Sequence, residues 1–379
     1  MRRIGPNALL LGVLLAWAVP LHAGLYNPRE MEHFYPIPTS FNQFQTKLSD
    51  LRGLVRQGAD AKQGSEEKND WIQQYQARFK ELQELDKAGN LTVADRIELS
   101  ACHLRIPSAD GSLKPEEAIR VLEPAQAEEP RSFMVLANLA LAYQMVGTLE
   151  RAIGYERLAL EAWPETQPGF TAEQLRWYRR AEKFYYLLLL HRNRELEQRT
   201  PVEEKTVDPL FEGVDFARPN EEYAAGKIAS RQWAELPGDA VALVEQLIFW
   251  LPFDNRLYWL LGEVLNARGD VRSASEIFGD LVDPNKRKEQ SRVLRQHWRV
   301  VDEAAKAQGE ASLEEPAKTD PAATSPPSER SASQWFADPR ALGVGFAAGV
   351  LVTLLAGLQL REIRRRRESR AGSPPTGAG

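Results

Sequence analysis

The sequence predicts an all-α protein in which antiparallel helix pairs form a repeating array and one C-terminal helix crosses a membrane. Three observations lead to this fold class. Apolar residues recur at spacings of three and four through most of the chain, which is typical of amphipathic helices. No alternation of apolar and polar residues longer than four residues precedes residue 308, so no strand is predicted there. Small residues recur at one constant shift along the chain, which indicates a repeated unit.

The best-defined unit is a helical hairpin between Arg131 and Pro164. Its first helix, at about 132–145, carries one apolar stripe, formed by Val135, Leu136, Leu139, Ala140 and Tyr143. Gly147 predicts a left-handed end to this helix, and Thr148 is the expected cap of the next one. The second helix turns mainly small side chains inward: Ala152, Tyr155, Ala159 and Ala162. Because such a pair cannot bury both of its apolar faces alone, it requires neighbouring helices.

The same unit recurs along the chain. Ala118 lies as far before Ala152 as Ala240 lies before Ala274. The second well-formed unit, at 255–282, repeats the pattern at Tyr258, Leu261, Gly262, Gly269, Ala274 and Phe278. These positions resemble the tetratricopeptide repeat (TPR), whose unit of about 34 residues has the same period and a W-x2-L-G-x2-Y…A-x3-F…P pattern.

The resemblance covers two repeats well and two half-repeats weakly. Several residues depart from the family pattern: Leu136 and Tyr258 stand for its tryptophan, Ala140 for its glycine, Leu265 for its tyrosine, Glu156 for its second aromatic residue and Lys286 for its closing proline. The resemblance implies a TPR-like α-solenoid with a concave groove, lined by the first helix of each repeat. It also implies that the groove binds a peptide or a partner helix.

Residues 1–23 are typical of a signal peptide. Arg2 and Arg3 give a positive start, a short apolar stretch follows, and the sequence LHA that ends at Ala23 is a plausible cleavage site. An earlier cleavage after Ala18 and an uncleaved anchor are the alternatives. A signal peptide predicts that the following domain is exported.

The lead-in at 24–90 is predicted to contain two helices. Three prolines favour an extended backbone over 25–39: Pro28, Pro36 and Pro38. Ser40 and Gln43 form the expected capping box of the first helix. The second helix is rich in aromatic residues and ends near Gly89. We expect this pair to seal the start of the repeat stack.

The repeat domain is predicted at 91–307. Besides the hairpin, helices are expected near 92–105, 115–127, 171–197, 220–234, 239–250, 255–267 and 271–281, with a final helix from residue 283. Thr171 and Gln174 form a second capping box. Cys102, the only cysteine, cannot form an internal disulfide, and we expect it to pack as a small apolar residue. An interchain disulfide is the alternative.

The C-terminal part predicts a tether, a membrane span and a basic tail. Residues 308–337 are mostly Ala, Pro, Ser, Glu and Thr, so they bury too little surface to order and form a disordered linker. Residues 341–360 carry no charge and are long enough to cross a bilayer as a helix. Residues 361–379 are rich in arginine and stay on the cytoplasmic side. The N-terminal domain is therefore expected in the periplasm or another extracytoplasmic compartment.

The small residues in the predicted span allow it to self-associate, and a monomeric span is the alternative. Gly345 and Gly349 form a GxxxG pair, which Thr353 and Gly357 extend at the same spacing. Such a ridge lets two membrane helices approach closely.

Charge and motifs exclude several function classes. The formal net charge is −5, and the exported part is more acidic than that because the arginines lie at the two ends, so nucleic acid is not the expected partner. No motif for a metal, a nucleotide or a catalytic nucleophile lies in a suitable context, and no two histidines share a helix at ligand spacing. The sequence therefore predicts neither an enzyme nor a cofactor.

The predicted function is that of a membrane-anchored scaffold or adaptor for protein–protein interaction. Mapped by spacing onto the family pattern, the candidate groove comprises Met134, Ala137, Leu141, Gln144 and Met145 in one repeat, and Arg256, Trp259, Glu263 and Asn266 in the other. The alternative is that these side chains merely pack against adjoining helices. The alternative function is a structural subunit of an envelope membrane complex, with no peptide groove. An exposed groove would favour the scaffold, and a groove filled by the protein itself would favour the structural subunit.

Overall fold

Thirteen α-helices and no β-strand form the part of the chain that the computed structural model describes, which comprises residues 26–59, 70–108, 111–201, 204–216, 223–282 and 291–314. The all-α prediction is confirmed for these residues. Among the described helices, none combines the length and the apolar character that a membrane span requires. The described helices belong to one compact unit that ends at Glu314.

Several predictions fall outside the described residues. These are the signal peptide at 1–23, the span at 341–360 with Gly345 and Gly349, and the tail at 361–379. The start of the predicted linker is described, and there the last helix continues to Glu314, beyond the expected domain end at residue 307.

The helices are connected mostly by short turns. Their bounds are α1 Pro28–Phe34, α2 Phe41–Ala59, α3 Asp70–Lys87, α4 Val93–Arg105, α5 Pro115–Glu128, α6 Phe133–Met145, α7 Leu149–Glu161, α8 Ala172–Gln198, α9 Ser230–Glu235, α10 Ala240–Trp250, α11 Asn255–Ala267, α12 Val271–Leu281 and α13 Arg292–Glu314.

Helix α1 corrects the expectation of an extended backbone over 25–39. The side chain of Asn27 accepts a hydrogen bond from the backbone N–H of Arg29 at 2.9 Å and so caps the helix. Pro28 takes the first helical position, where its missing N–H leaves no intrahelical hydrogen bond unmade. A proline that looked like a helix breaker is in fact part of a helix start.

The other predicted helix ends are confirmed to different degrees. The capping box of Thr171 and Gln174 at the start of α8 is complete. At Ser40 only half of the expected box forms, because the Gln43 side chain accepts from the N–H of Thr39 instead, at 3.0 Å. Thr148 occupies the cap position of α7 without a side-chain hydrogen bond.

Consecutive helices pack as pairs, and the pairs pack on one another. The pairs are α4 with α5, α6 with α7, and α11 with α12, while α5 packs on α6 and α7 on α8. Ala118, Ala152 and Ala274 are completely buried at these contacts. At Gly262 a Cβ atom would lie only 2.3 Å from Cε1 of Phe278, so α11 and α12 approach too closely for any side chain there.

Helix α3 packs on α4, and α2 packs on both α3 and α10, so the lead-in contacts the first helix pair and also a helix late in the chain. A satellite core joins α2, α3, α4 and α5 through Leu54, Ile72, Tyr75, Leu82, Leu99, Cys102, Ile106 and Val121. Cys102 is 1% exposed, so the prediction that it packs as a small buried residue is confirmed. Burial also raises the pKa of its thiol well above the usual value.

The helix expected near 220–234 is mostly absent from the described residues. Only α9 forms, and residues 223–229 cross α11 in a non-helical conformation. Gly226 has φ +68°, and its N–H donates to Oδ1 of Asn266 at 2.7 Å. The hydroxyl of Tyr223 donates to Glu263 at 2.8 Å. These contacts with α11 replace the hydrogen bonds that a longer helix would have made.

Candidate functional site

The residues predicted to line the groove on α6 are buried or half-buried. Met134, Ala137 and Leu141 are 8%, 5% and 2% exposed, and Gln144 and Met145 are half-buried. Ala137 and Leu141 lie together on the face that α6, α8 and α10 form, which we call the inner face. Met134 is not part of it, since it lines a separate surface cleft of about 460 Å³ at the ends of α5 and α7.

The inner face is covered by residues 26–34, which we call the N-terminal segment. The ring of Tyr26 is 2% exposed and meets four aromatic rings edge-on or tilted, with centroid distances of 5.3–6.2 Å: Phe133, Trp163, Tyr178 and Trp250. At the other end Phe34 stacks on Phe249 of α10, with centroids 4.7 Å apart. Between Tyr26, α6, α8 and α10 there remains a cavity of only about 10 Å³, which has room for one water molecule.

Glu30 holds the middle of the N-terminal segment by a buried ion pair. The guanidinium of Arg105 donates to both carboxylate oxygens of Glu30 at 3.0–3.1 Å. The hydroxyl of Tyr75 donates to the same carboxylate at 2.8 Å. Arg105 also donates to the carbonyl oxygens of Trp250 at 3.0 Å and Phe249 at 2.7 Å, where α10 ends. One arginine thus connects the N-terminal segment, α4 and α10.

A pair of buried carboxyl groups lies beneath Tyr26. The Tyr26 hydroxyl donates to Oε1 of Glu182 on α8, which is 2% exposed. Glu156 on α7 is completely buried beside Glu182, and its oxygens accept no hydrogen bond from a neutral or basic donor of the described residues. Burial raises the pKa of Glu182 to about 7, although the hydrogen bond from Tyr26 opposes this shift. Burial, and then the neighbouring charge of Glu182, raise the pKa of Glu156 well above its usual range.

No basic side chain compensates these two carboxyl groups. Within the described part of the chain, neither Glu156 nor Glu182 forms an ion pair with a lysine or arginine. A buried carboxylate without a cation is costly, so the neutral, protonated form is favoured. At about neutral pH these two buried carboxyl groups therefore retain protons that most surface carboxyl groups have released.

The residues predicted on α11 form a second cluster, centred on Glu263. Its carboxylate, 1% exposed, accepts from the indole N–H of Trp259 at 2.8 Å and from Nδ1 of His297 at 2.6 Å, besides the Tyr223 hydroxyl. The rings of Tyr223 and His297 are stacked with centroids 3.5 Å apart. Trp259 is 3% exposed and Asn266 is 2% exposed, so these side chains are also interior.

A cavity of about 640 Å³ lies beside this cluster, between α11, α13 and the segment before α9. Its walls include Tyr223, Lys227, Glu263, Asn266, Gln296 and His297. The volume lies in the range of sites that hold a small molecule or a few side chains of a partner. Since Nδ1 of His297 is bound to Glu263, its Nε2 atom is the ring nitrogen that remains for a ligand.

Arg256, the remaining predicted residue, belongs to an ion-pair network. Its guanidinium donates to Glu195 of α8 at 2.5 and 2.9 Å and pairs with the buried Asp208 at 2.8 Å. Arg192 pairs with Asp208 as well, at 2.9 Å, and with Asp254. The network joins α8 to the start of α11, and Arg256 also donates to the carbonyl oxygen of Thr206, a residue of the cavity wall, at 3.2 Å.

Sequence reasoning missed most of the residues that make these sites. Tyr26 and Glu30 lie in a stretch expected to be extended, and their partners are 156 and 75 residues away. Glu156 did carry a signal, because it stands where the repeat pattern has an aromatic residue. A carboxylate at a core position of a helical repeat points to a special environment, and the structure places it against Glu182.

Within the described residues, no group of three or more His, Cys, Asp and Glu side chains is placed to hold a metal ion. Neither a protein-family model, nor a curated protein, nor a solved structure matches this chain. The interpretation of its function therefore depends on the sequence and on the geometry of the two sites.

Proposed function

We propose that this chain is an exported, membrane-anchored scaffold for protein–protein interaction, built as a TPR-like α-solenoid. The observation that carries the proposal is that the two halves of the expected groove differ in accessibility. Its α6 half is covered by the protein's own N-terminal segment, whereas its α11 half opens into the 640 Å³ cavity. We propose that a partner segment places one or a few side chains in this cavity, against Tyr223, Asn266 and His297.

The repeat architecture is supported by features shared between α6–α7 and α11–α12. Both pairs pack closely, and both turns contain a glycine in the left-handed region, Gly147 at φ +80° and Gly269 at φ +86°. Ala152 and Ala274, which lie one repeat period after Ala118 and Ala240, are completely buried. Two such pairs of buried alanines, each separated by one repeat period, support a stack of TPR-like units.

Rigid support makes the cavity suitable as a binding site. Glu263, His297 and Asn266 are each less than 5% exposed and are held by hydrogen bonds from three chain segments. A partner would therefore meet side chains whose positions are already set, which lowers the entropy cost of binding. Lys227 and Gln296 on the same walls supply polar contacts.

The second candidate function is a structural subunit of an envelope membrane complex. The covered inner face favours it, because a groove filled by the chain's own residues cannot take a peptide while they remain there. In that case the partners would contact outward-facing helices such as α7, and the cavity would have no ligand.

Site-specific photo-crosslinking in cells separates the two functions. A benzophenone amino acid replaces Gln296, an exposed residue on the cavity wall, or Glu150, an exposed residue of α7. The scaffold predicts a discrete crosslinked product from position 296 that Asn266→Leu abolishes. Crosslinks from position 150 alone would contradict the scaffold and support the structural subunit.

The proposed orientation is tested separately. The signal-like start and the arginine-rich residues 361–379 place the repeats outside and the tail inside. Protease added to spheroplasts should digest the helical domain and spare an epitope tag fused after Gly379. Protection of the helical domain with loss of the tag would contradict this orientation.

A further inference from the structure

We propose that the inner face is itself a peptide-binding site and that residues 26–34 are its releasable intramolecular ligand. The site would take, from a partner protein, a segment with a tyrosine just before a helix N-cap and with glutamate and phenylalanine four and eight residues further on, inside the helix. In this chain those positions are Tyr26, Glu30 and Phe34. This site is distinct from the cavity beside Glu263.

The three positions make separate contacts, each with a defined chemistry. Tyr26 needs an aromatic ring for the surrounding rings and a hydroxyl for Glu182. Glu30 needs a carboxylate for Arg105, which is itself 2% exposed and has no other carboxylate partner in the described residues. Phe34 needs a ring that stacks on Phe249. At protein interfaces a few anchors of this kind carry most of the binding energy.

The spacing suits a helix. Residues four apart lie on the same side of an α-helix, so Glu30 and Phe34 of α1 point toward one surface, while Tyr26 precedes the extended N-cap residue Asn27. The N-terminal segment uses this arrangement from α1 onward, with Met31 adding a buried apolar contact beside Glu30. Helix-in-groove binding through anchors at such intervals is a common mode of peptide recognition.

The contacts at Tyr26 provide a reason for release. Tyr26 lies on a carboxyl pair that has no basic partner, and the other ionisable groups facing the pair are phenols, Tyr178 and Tyr185. Ionisation of Glu156, to which Tyr26 does not donate, puts a buried negative charge beneath the segment without a compensating hydrogen bond, which favours admission of water and departure of Tyr26. Glu30 and Phe34 then remain as the anchors that a competing segment has to displace.

The experiment cuts the tether without changing the site. A protease recognition sequence is inserted between Pro38 and Thr39, before the first turn of α2, in the detergent-solubilised full chain. Cleavage leaves the N-terminal segment held by its contacts alone. A fluorescein-labelled peptide of residues 26–36 is then added in excess, and its binding is followed by fluorescence anisotropy at pH 6 and pH 8.

We expect the labelled peptide to exchange into the cut protein, faster at pH 8 than at pH 6, while the helical signal and its melting temperature persist. Peptides with Tyr26→Ala or Glu30→Ala should bind at least tenfold more weakly, since each loses a buried or charged hydrogen bond. A polyalanine peptide that retains only the tyrosine, glutamate and phenylalanine should still bind. Uncut protein is the control and should bind little, because the tethered segment has a high effective concentration.

Three results would each overturn the proposal. The first is a cut protein that does not exchange its segment at either pH. The second is a release that unfolds the helices, which would make the segment a permanent part of the core. The third is binding of the Tyr26→Ala and Glu30→Ala peptides that is as tight as binding of the unchanged peptide, which would show that the face lacks the proposed chemistry.

Discussion

Trp259 shows how burial changes the expected effect of a substitution. The residue was predicted to line a groove, and it lies 3% exposed with its indole N–H bonded to Glu263. Trp259→Ala should therefore lower the free energy of unfolding by roughly 3–5 kcal/mol, because it leaves a large cavity and removes a donor from a buried carboxylate. Urea denaturation followed by circular dichroism measures this loss.

Trp233→Ala is the matched control for that change. Trp233 is 44% exposed, and the guanidinium of Arg268 lies over its ring at 4.7 Å from the centroid. Its loss should cost no more than about 1 kcal/mol. Equal effects of the two substitutions would show that Trp259 contributes less packing than its position indicates.

Glu182 predicts a dependence of stability on pH. Between the usual carboxyl pKa of 4.5 and the folded value of about 7, the folded state holds a proton that the unfolded state releases. The free energy of unfolding should therefore fall as the pH rises from about 5 to 7, by on the order of 3 kcal/mol for this group. Glu182→Gln should flatten this part of the profile, since the amide oxygen still accepts from Tyr26 and does not titrate.

Glu161→Gln provides the comparison, because Glu161 is exposed on α7, where it pairs with Arg157. This variant should keep the wild-type profile in urea titrations at pH 5, 6, 7 and 8. If Glu182→Gln also keeps it, the proton resides elsewhere in the cluster.

At the level of elements, the same substitution, glycine to alanine, is expected to have opposite effects on stability at two helical positions, Gly262 and Gly154. Gly262→Ala in α11 should destabilise the fold, since the new Cβ atom would lie 2.3 Å from Phe278 and the two helices would have to separate. Gly154→Ala in α7 meets no atom within 4 Å and should stabilise the fold by about 0.5–1 kcal/mol through helix propensity. Thermal melting of both variants measures the difference, and a change in the same direction would contradict the close crossing of α11 and α12.

The elements that local patterns determine were predictable from the sequence. The helices α4, α6, α8 and α11 follow from apolar periodicity, and the start of α8 also follows from the capping residue Thr171. Helix α1 was not expected, because Pro28 disfavours a helix interior yet suits a helix start. Most of the helix predicted at 220–234 is absent from the described residues, because contacts of Tyr223 with α11 outweigh the local preference for a helix.

The sites were less predictable than the helices. Spacing on the repeat predicted Ala137, Leu141, Glu263 and Asn266 as residues that line a binding groove, and the structure buries all four. What covers them depends on contacts between residues far apart in the chain, such as Tyr26 with Glu182. No periodic pattern in one sequence reports such a contact.

Across the whole molecule, Arg105 predicts strong coupling between distant segments. Either Arg105→Ala or Glu30→Ala leaves a buried charge without its partner and should cost roughly 3–5 kcal/mol. The double variant should cost clearly less than the sum of the two, because neither charge is then left unpaired. Urea unfolding of the four proteins gives the coupling energy. The exposed pair Arg157 and Glu161 serves as reference, with an expected coupling of about 0.5 kcal/mol.

The buried carboxyl groups also make the folding of this chain a proton-uptake reaction. Besides Glu156 and Glu182, burial raises the pKa of Glu245 on α10 to about 8. Folding at pH 7 therefore takes protons from the solvent, so the calorimetric enthalpy of unfolding should vary with the ionisation enthalpy of the buffer. The folded protein should also carry less negative charge than the formal −5 of its sequence. Native isoelectric focusing should place it at a more basic position than focusing in urea.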